Sequence, residues 1–399
     1  MKVLIYHHSR QHIYRLVEGM EKYRIPYNFY TGLYHTCLPN FIKKTFLDLK
    51  KTRFSPRIHH QNVHCLNLSW EFLLSLWARL NIFMRMRNRL LFKKQLIFQK
   101  NLLNLITDDT THIITFHTNA FYLYPKLKKE YTSKKTLILE AAQPHPLWIK
   151  KLYEKYPEYR QYFPLNYSET MISHYSEEFK YADIVVAPST FLKKTLLENK
   201  VDENKITIVF YGFNHTDNVK NKHKKHSATK RLNVAFCGLL SFSKGFHFLK
   251  EVASKTTSFA DFHVFGNAVS KRILKNLPQN VNLYGFVNHN TLFNIYQNMD
   301  VFYFPTLYDA SGLALLEAMA MGLVPVASPY SIAPDIIENN ANGFIVEPDD
   351  IEKTIEILHD LFTNREKLFS MSESIRKSVL KFTWENYQRQ YVKLIKGDV

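Results

Sequence analysis

Short apolar runs alternate with segments of helical periodicity along most of the chain. Val3 to Tyr6 is one such run, and Ile13, Leu16, Val17, Met20 and Tyr23 then recur at helical spacing until Pro26 ends the pattern. Further strand signals stand at Tyr27 to Tyr30, His112 to Phe116, Thr136 to Leu139 and Ile184 to Ala187, with helical stretches between them. Strands that alternate with helices predict a parallel sheet covered on both faces. From Asn214 to Arg231 the sequence turns polar and basic, which predicts a linker over 214–231. The alternation then restarts at Asn233 to Cys237, Phe262 to Phe265, Val281 to Leu283, Val301 to Phe304 and Val324 to Ala327. A chain of 399 residues exceeds the size of one hydrophobic core. The expected architecture is therefore α/β, with two doubly wound Rossmann-like domains, 1–213 and 232–382, facing a central cleft. Open parallel sheets bind ligands at the carboxyl ends of their strands, and so in that cleft.

Composition adds an electrostatic expectation. There are 53 basic and 35 acidic residues, a formal charge of +18, which favours an anionic partner. The excess concentrates between 72 and 107, where no acidic residue precedes Asp108 after Glu71. There Arg79, Arg85, Arg87, Arg89, Lys93, Lys94 and Lys100 are interleaved with Trp77, Phe83, Phe92 and Phe98. That mixture suits an anionic membrane surface, and equally two helices with buried apolar and solvated basic faces. No recognised nucleic-acid motif accompanies it, so nucleic acid is not an expected partner. No run of about 18 apolar residues is present to span a bilayer, and no signal-peptide pattern opens the chain. Cys37, Cys65 and Cys237 form neither a disulfide framework nor a zinc pattern, which fits a reducing compartment. The expected location is cytoplasmic and peripheral at the inner membrane face.

The segment Val301 to Ser328 carries the candidate chemistry. A strand ends at Pro305, a loop holds Asp309, Ser311 and Gly312, a helix starts near Leu313 and Gly322 stops it. The free N–H groups and dipole at such a helix start favour an anion, and Gly312 lets a phosphate approach the backbone. Glu317 shares a face with the first turn and is placed to accept hydrogen bonds from a vicinal diol. By spacing alone a plain helix start, with Ser311 as its cap, explains the same residues.

The order Asp309-Ala-Ser-Gly-Leu-Ala-Leu-Leu-Glu317-Ala-Met-Ala-Met-Gly-Leu-Val-Pro325-Val resembles the group 1 glycosyltransferase family of GT-B fold, whose loop reads approximately E-G-F-G-L-x-x-L-E-A-M-A-x-G-x-P-V. The segments beginning at Tyr181, Ile208, Phe236 and Asn282, then Asn339 to Val346 and Phe382 to Tyr387, stand in the family's order as well. The resemblance covers the chain from about Tyr181 onward. It implies a retaining transfer from a nucleoside diphosphate sugar, with helix 383–399 joining the first domain. Glu317 would bind the donor ribose, Asp309 the sugar hydroxyls and Lys244 the diphosphate. Gly238, Ser311, Gly312 and Leu313 would cradle phosphate, and Gly285, Phe286 and Val287 would lie near the base. No cofactor beyond a UDP-, GDP- or other nucleotide-sugar donor is expected, and no metal.

Two residues depart from the pattern: Gly238-Leu239 replaces a glycine-arginine pair, and Asp309 replaces a glutamate. His145, in Glu140-Ala-Ala-Gln-Pro-His-Pro-Leu, is the candidate histidine near the reacting carbon, with His117 and His8 as runners-up. The acceptor expected is a glycan or lipid-linked hydroxyl in bacterial surface polysaccharide or lipopolysaccharide synthesis. A nucleotide-sugar epimerase, and a degenerate non-catalytic partner of an active transferase, remain alternatives.

Overall fold

A computed structural model of the chain describes residues 1–8, 12–37, 54–67, 70, 84–130, 135–157, 168–213 and 231–398. The proposed linker lies outside them except for Arg231, as do Trp77, Arg79 and Phe83 of the basic region. The first sheet contains β1 (Val3–His7), β2 (Tyr27–Thr31), β3 (Val63–Cys65), β4 (His112–Phe116), β5 (Thr136–Glu140), β6 (Ile184–Ala187) and β7 (Ile206–Ile208). Its described helices are α1 (Ile13–Lys22), α2 (Met84–Leu103), α3 (Leu123–Glu130), α4 (Pro146–Lys155), α5 (Glu169–Tyr181) and α6 (Thr190–Leu197). The second sheet contains β8 (Leu232–Cys237), β9 (Ala260–Phe265), β10 (Val281–Gly285), β11 (Val301–Phe304), β12 (Val324–Ala327) and β13 (Phe344–Ile345). With it go α7 (Phe246–Lys255), α8 (His289–Tyr296), α9 (Leu313–Ala320), α10 (Ala333–Ile336), α11 (Ile351–Thr363) and α12 (Arg365–Ser378), and the chain closes with α13 (Trp384–Lys396).

Both sheets are parallel, in the orders β3-β2-β1-β4-β5-β6-β7 and β10-β9-β8-β11-β12-β13. In each the strand order reverses beside its first strand, which opens a crevice between β1 and β4 and another between β8 and β11. The central strands are buried on both faces and read as continuous apolar runs, which is why they were visible in the sequence. Three strands were not anticipated. β3, β7 and β13 have three, three and two residues, too few for a periodic signal.

Two helices pack into the opposite domain's core. Ile149, Leu152 and Tyr153 of α4, with Tyr156 just after it, belong to the apolar cluster around β8, β11 and β12. Tyr387, Tyr391, Val392 and Ile395 of α13 pack with Val3, Ile5, Leu16 and Val17 of the first domain. Thr383 caps α13 by accepting the N–H of Asn386.

One expectation about cysteine is corrected. Cys37, in the turn after β2, and Cys65, which ends β3, are disulfide-bonded with Cα atoms 6.2 Å apart. Parallel pairing of Thr31 with Cys65 brings the two segments together although 28 residues separate the cysteines. Cys237 is the free cysteine among the described residues. In the described part of the basic region, Phe98 is buried and Phe92 stacks on Phe121 at 4.8 Å, so both rings serve the core. Arg89, Lys93 and Lys100 are exposed. No described helix is long and apolar enough to cross a membrane.

Candidate donor site at the second switch point

The loops that leave β8 and β11 flank the second crevice, and they are tied to each other. Leu307 N donates to Ser243 O at 2.8 Å, and Thr306 Oγ1 donates to the same oxygen at 3.1 Å. Gly245, the N-cap of α7, has φ +71°, and a Cβ there would lie 1.9 Å from Pro305 O. Only glycine allows the two loops this approach. Their closeness sets Lys244 against Asp309: Nζ donates to Oδ2 at 2.6 Å and reaches Tyr308 O at 3.4 Å.

The other Asp309 oxygen faces the start of α9. Oδ1 accepts from Ser311 N at 3.1 Å and from Gly312 N at 2.8 Å. The helix cap is Gly312, at φ +58°, rather than Ser311, and the carboxylate of Asp309 supplies the capping oxygen. Burial pushes the Asp309 carboxyl up, but the Lys244 charge and hydrogen bond, aided by the two N–H groups, hold it below the ordinary range.

Glu317 sits on α9 one turn beyond its start, with 13% of its side chain exposed. Nδ1 of the exposed His289 lies 3.5 Å from its Oε1, and burial pushes the Glu317 pKa up to about 7. Such a carboxylate has acceptor capacity that the described protein leaves unused. On the other side, a Cβ at Gly238 or Gly285 would meet nothing within 4 Å, so backbone after β8 and β10 borders open space. Leu239 is 49% exposed and Phe286 78%, while Val287 packs on the domain core.

The first domain meets this site from across the cleft. Leu313 packs against both domain cores. Ser189 Oγ, which caps α6 by accepting Leu192 N, also donates to Ala310 O at 2.8 Å. Trp148 and Phe191 pack on Tyr330 with ring centroids 6.0 and 5.8 Å apart. Glu140, at the end of β5, is a residue whose role sequence reasoning missed. Its buried carboxylate accepts the hydroxyls of Tyr211 at 2.6 Å, Tyr391 at 2.8 Å and Tyr387 at 3.0 Å, and it contacts His12. Burial raises this carboxyl, yet the His12 charge and the donated bonds hold it below its usual value.

His145 has a different position from these groups. It is buried, its Nδ1 accepts Leu147 N at 3.3 Å as the cap of α4, and its ring lies against Phe179. Burial, with the charges of His117 and Lys151, lowers its pKa to about 3, so it stands neutral. His117 donates to Glu178 through Nδ1 at 2.9 Å inside the first domain, and His8 pairs with Asn119.

Residues 217–378, which contain every one of the candidate donor-site residues, match the family model of glycosyl transferases group 1. Over that stretch the chain is similar to the group 1 glycosyltransferases. It is 27% identical over 240 residues to the capsular polysaccharide biosynthesis glycosyltransferase CapM of Staphylococcus aureus, an alignment covering 54% of this chain and 62% of that one. Two further curated relatives are matched over 52% and 44% of their lengths, so the chain spans about half to under two thirds of such relatives. Among solved structures, a sucrose-phosphate synthase from Thermosynechococcus elongatus superposes with TM-score 0.71 at 16% identity, over 99% of this chain and 98% of that one. Anabaena Alr3699/HepE in complex with UDP and glucose gives 0.65 at 14% identity over the whole of both chains. These likenesses bear out the GT-B architecture of two Rossmann-like domains.

Proposed function

We propose that this chain is a group 1 glycosyltransferase that moves a hexose-type sugar from a nucleoside diphosphate sugar to a hydroxyl of a glycan or lipid-linked acceptor, in the assembly of a bacterial surface polysaccharide or lipopolysaccharide. The observation that carries this reading is the pairing of Lys244 with Asp309, whose other oxygen takes N–H groups at the start of α9, at a switch point one helical turn from a buried carboxylate short of partners. Lys244 and the α9 N–H groups would bind the diphosphate and stabilise charge on the leaving oxygen. Glu317 would accept both ribose hydroxyls, Asp309 would take sugar hydroxyls, and Gly285 to Val287 would border the base. Support for a UDP-type donor comes from the HepE complex, and for a polysaccharide product from CapM.

Neutralisation by Lys244 and the helix start makes a divalent metal unnecessary in this scheme. None of the matched residues is placed as a nucleophile, so we favour same-face attack, in which the leaving phosphate helps deprotonate the acceptor and the configuration is retained. Arg89, Lys93 and Lys100 of the 72–107 region would hold the first domain to anionic lipid, to be tested by flotation with anionic vesicles at low and high salt.

The primary test is thermal-shift or calorimetric binding against UDP-, GDP-, ADP- and CMP-sugars. One sugar nucleotide should stabilise the wild type and not Glu317→Ala, and full transfer by that variant would refute the site. The exposed Leu239, where the pattern has arginine, favours a second reading as a non-catalytic partner, which binding to none of the panel would support. Product analysis without acceptor separates transfer from epimerisation.

A further inference from the structure

The carboxylate of Asp309 already occupies the groups that the donor's phosphate is meant to use. Its Oδ2 takes the Lys244 ammonium, and its Oδ1 takes the N–H groups of Ser311 and Gly312. Aspartate is suited to this, because its short side chain closes readily onto N–H groups two or three residues ahead. The family's glutamate, one methylene longer, is less suited to that turn. Among the first N–H groups of α9, those of Leu313 and Ala314 have no acceptor available within the helix. With Leu239 in place of the arginine, Lys244 is the one cation the family pattern supplies here, and its charge is matched before any ligand arrives.

We infer that Asp309 is a two-position residue that discriminates the nucleotide-sugar substrate from the spent nucleoside diphosphate: without donor its carboxylate stands in for the phosphate, and with donor it turns to the sugar. This rests on the donor-site reading above. A ligand shifts a two-state residue only through its differential interaction with the two positions. A nucleotide sugar displaces the carboxylate from Lys244 and offers hydroxyls that accommodate it. A nucleoside diphosphate displaces it and offers nothing in return, so Asp309 competes with it directly. After transfer, the carboxylate returns to Lys244 and the helix start and speeds release of the diphosphate. Asp309 therefore weakens product binding, the opposite of what a site carboxylate serving only as a sugar contact would do.

The test is calorimetric titration of UDP, GDP and ADP, and of their glucose conjugates, into wild type, Asp309→Ala, Asp309→Asn and Glu317→Ala without acceptor. The nucleoside diphosphate that binds wild type should bind Asp309→Ala about tenfold more tightly, the scale of one charge-assisted hydrogen bond. The nucleotide sugar should gain less or lose affinity, so that the ratio of the two affinities moves toward product. Asp309→Asn keeps an oxygen for the cap and removes the charge from Lys244. It should gain part of the effect, and it carries the test if the alanine variant does not fold by circular dichroism. Equal or weaker diphosphate binding by both variants, with wild type binding and Glu317→Ala not, overturns this inference while leaving the donor site standing. Binding of none of these ligands to wild type overturns the donor-site reading and this inference with it. A merely structural loss at position 309 would lower both affinities together.

Discussion

Glu317→Gln should make the protein more stable at alkaline pH while removing its ability to hold a donor. Burial lifts the Glu317 carboxyl from 4.5 to about 7. A group whose folded pKa is raised contributes stability that is fully present below its unfolded value and is lost as pH rises through the folded one. Here that window runs from about pH 4.5 to about 7, and the loss corresponds to about 3 kcal/mol. The exposed His289 lies too far into solvent to offset it. Glutamine has nearly the same shape and no charge to bury, so it keeps what the wild type loses. At pH 8 the domain containing α9 should melt roughly 5–10 °C higher in the variant, and near pH 4.5 the two proteins should coincide. Nucleotide-sugar binding should be absent from the variant at every pH, since the amide replaces one of the two acceptor oxygens with a donor. Differential scanning fluorimetry from pH 4.5 to 8.5, with and without nucleotide sugar, measures both effects. Equal loss of stability in the two proteins between pH 5 and 8, or a variant less stable at pH 8, would refute the assignment of a buried carboxylate whose charge is left uncompensated.

Gly245→Ala should cost several kcal/mol and abolish donor binding, because its Cβ meets the backbone oxygen of Pro305, whereas Gly312→Ala, whose Cβ is 3.1 Å from a movable Ile332 methyl, should cost only about 1–2 kcal/mol. Chemical denaturation of the two variants side by side checks the order. Glu140→Gln should lower stability by about 3 kcal/mol at pH 7, since one of its oxygens becomes a donor facing hydroxyl donors. Because the Glu140 carboxyl is held below 4.5, the stability it gives is present above that pH and lost on acidification through its lowered folded-state pKa, so wild type and variant should converge in acid melts well below pH 4.5. Thiol titration of the denatured, unreduced protein should find one reactive cysteine, Cys237, and three after reduction. Ser189→Ala should slow transfer more than it weakens nucleotide binding, because its hydroxyl joins α6 to the donor loop across the cleft; steady-state kinetics beside calorimetry separates the two.

How far the sequence spoke depended on how local each arrangement is. Strands of four or more residues buried on both faces left continuous apolar runs, and β8, β11 and β12 of the second domain could be placed from them. Ser311, Gly312, Asp309 and Glu317 were legible as candidates because each lies within a few residues of a strand end or helix start, whereas Lys244 entered through the family resemblance alone. Glu140 was not, since its partners come from positions 12, 211, 387 and 391 and only tertiary folding gathers them. The Cys37–Cys65 bond was hidden for the same reason: it depends on β3, a strand too short to announce itself. For His145 the signal pointed toward chemistry, yet Pro146 at the first helical position was a competing local sign that the histidine before it caps a helix.

The same exchange of helices that hides these links from the sequence fixes the geometry of the cleft. α4 belongs by topology to the first domain and by packing to the second, and α13 does the reverse. A wide hinge motion would have to pull Ile149, Leu152 and Tyr153, or Tyr387 and Tyr391, out of a buried core, at about 1.5–3 kcal/mol for each side chain. That sum, about 3–9 kcal/mol, would use up most of what binding one nucleotide at micromolar affinity supplies. Small shifts of the loops at 238–245 and 305–312 cost less, and glycine at 245 and the Ser189 bridge keep those loops in register. Adjustment to the donor is thereby concentrated in side chains at the switch point, and Asp309, held by three bonds that a phosphate can replace, is the one best placed to move.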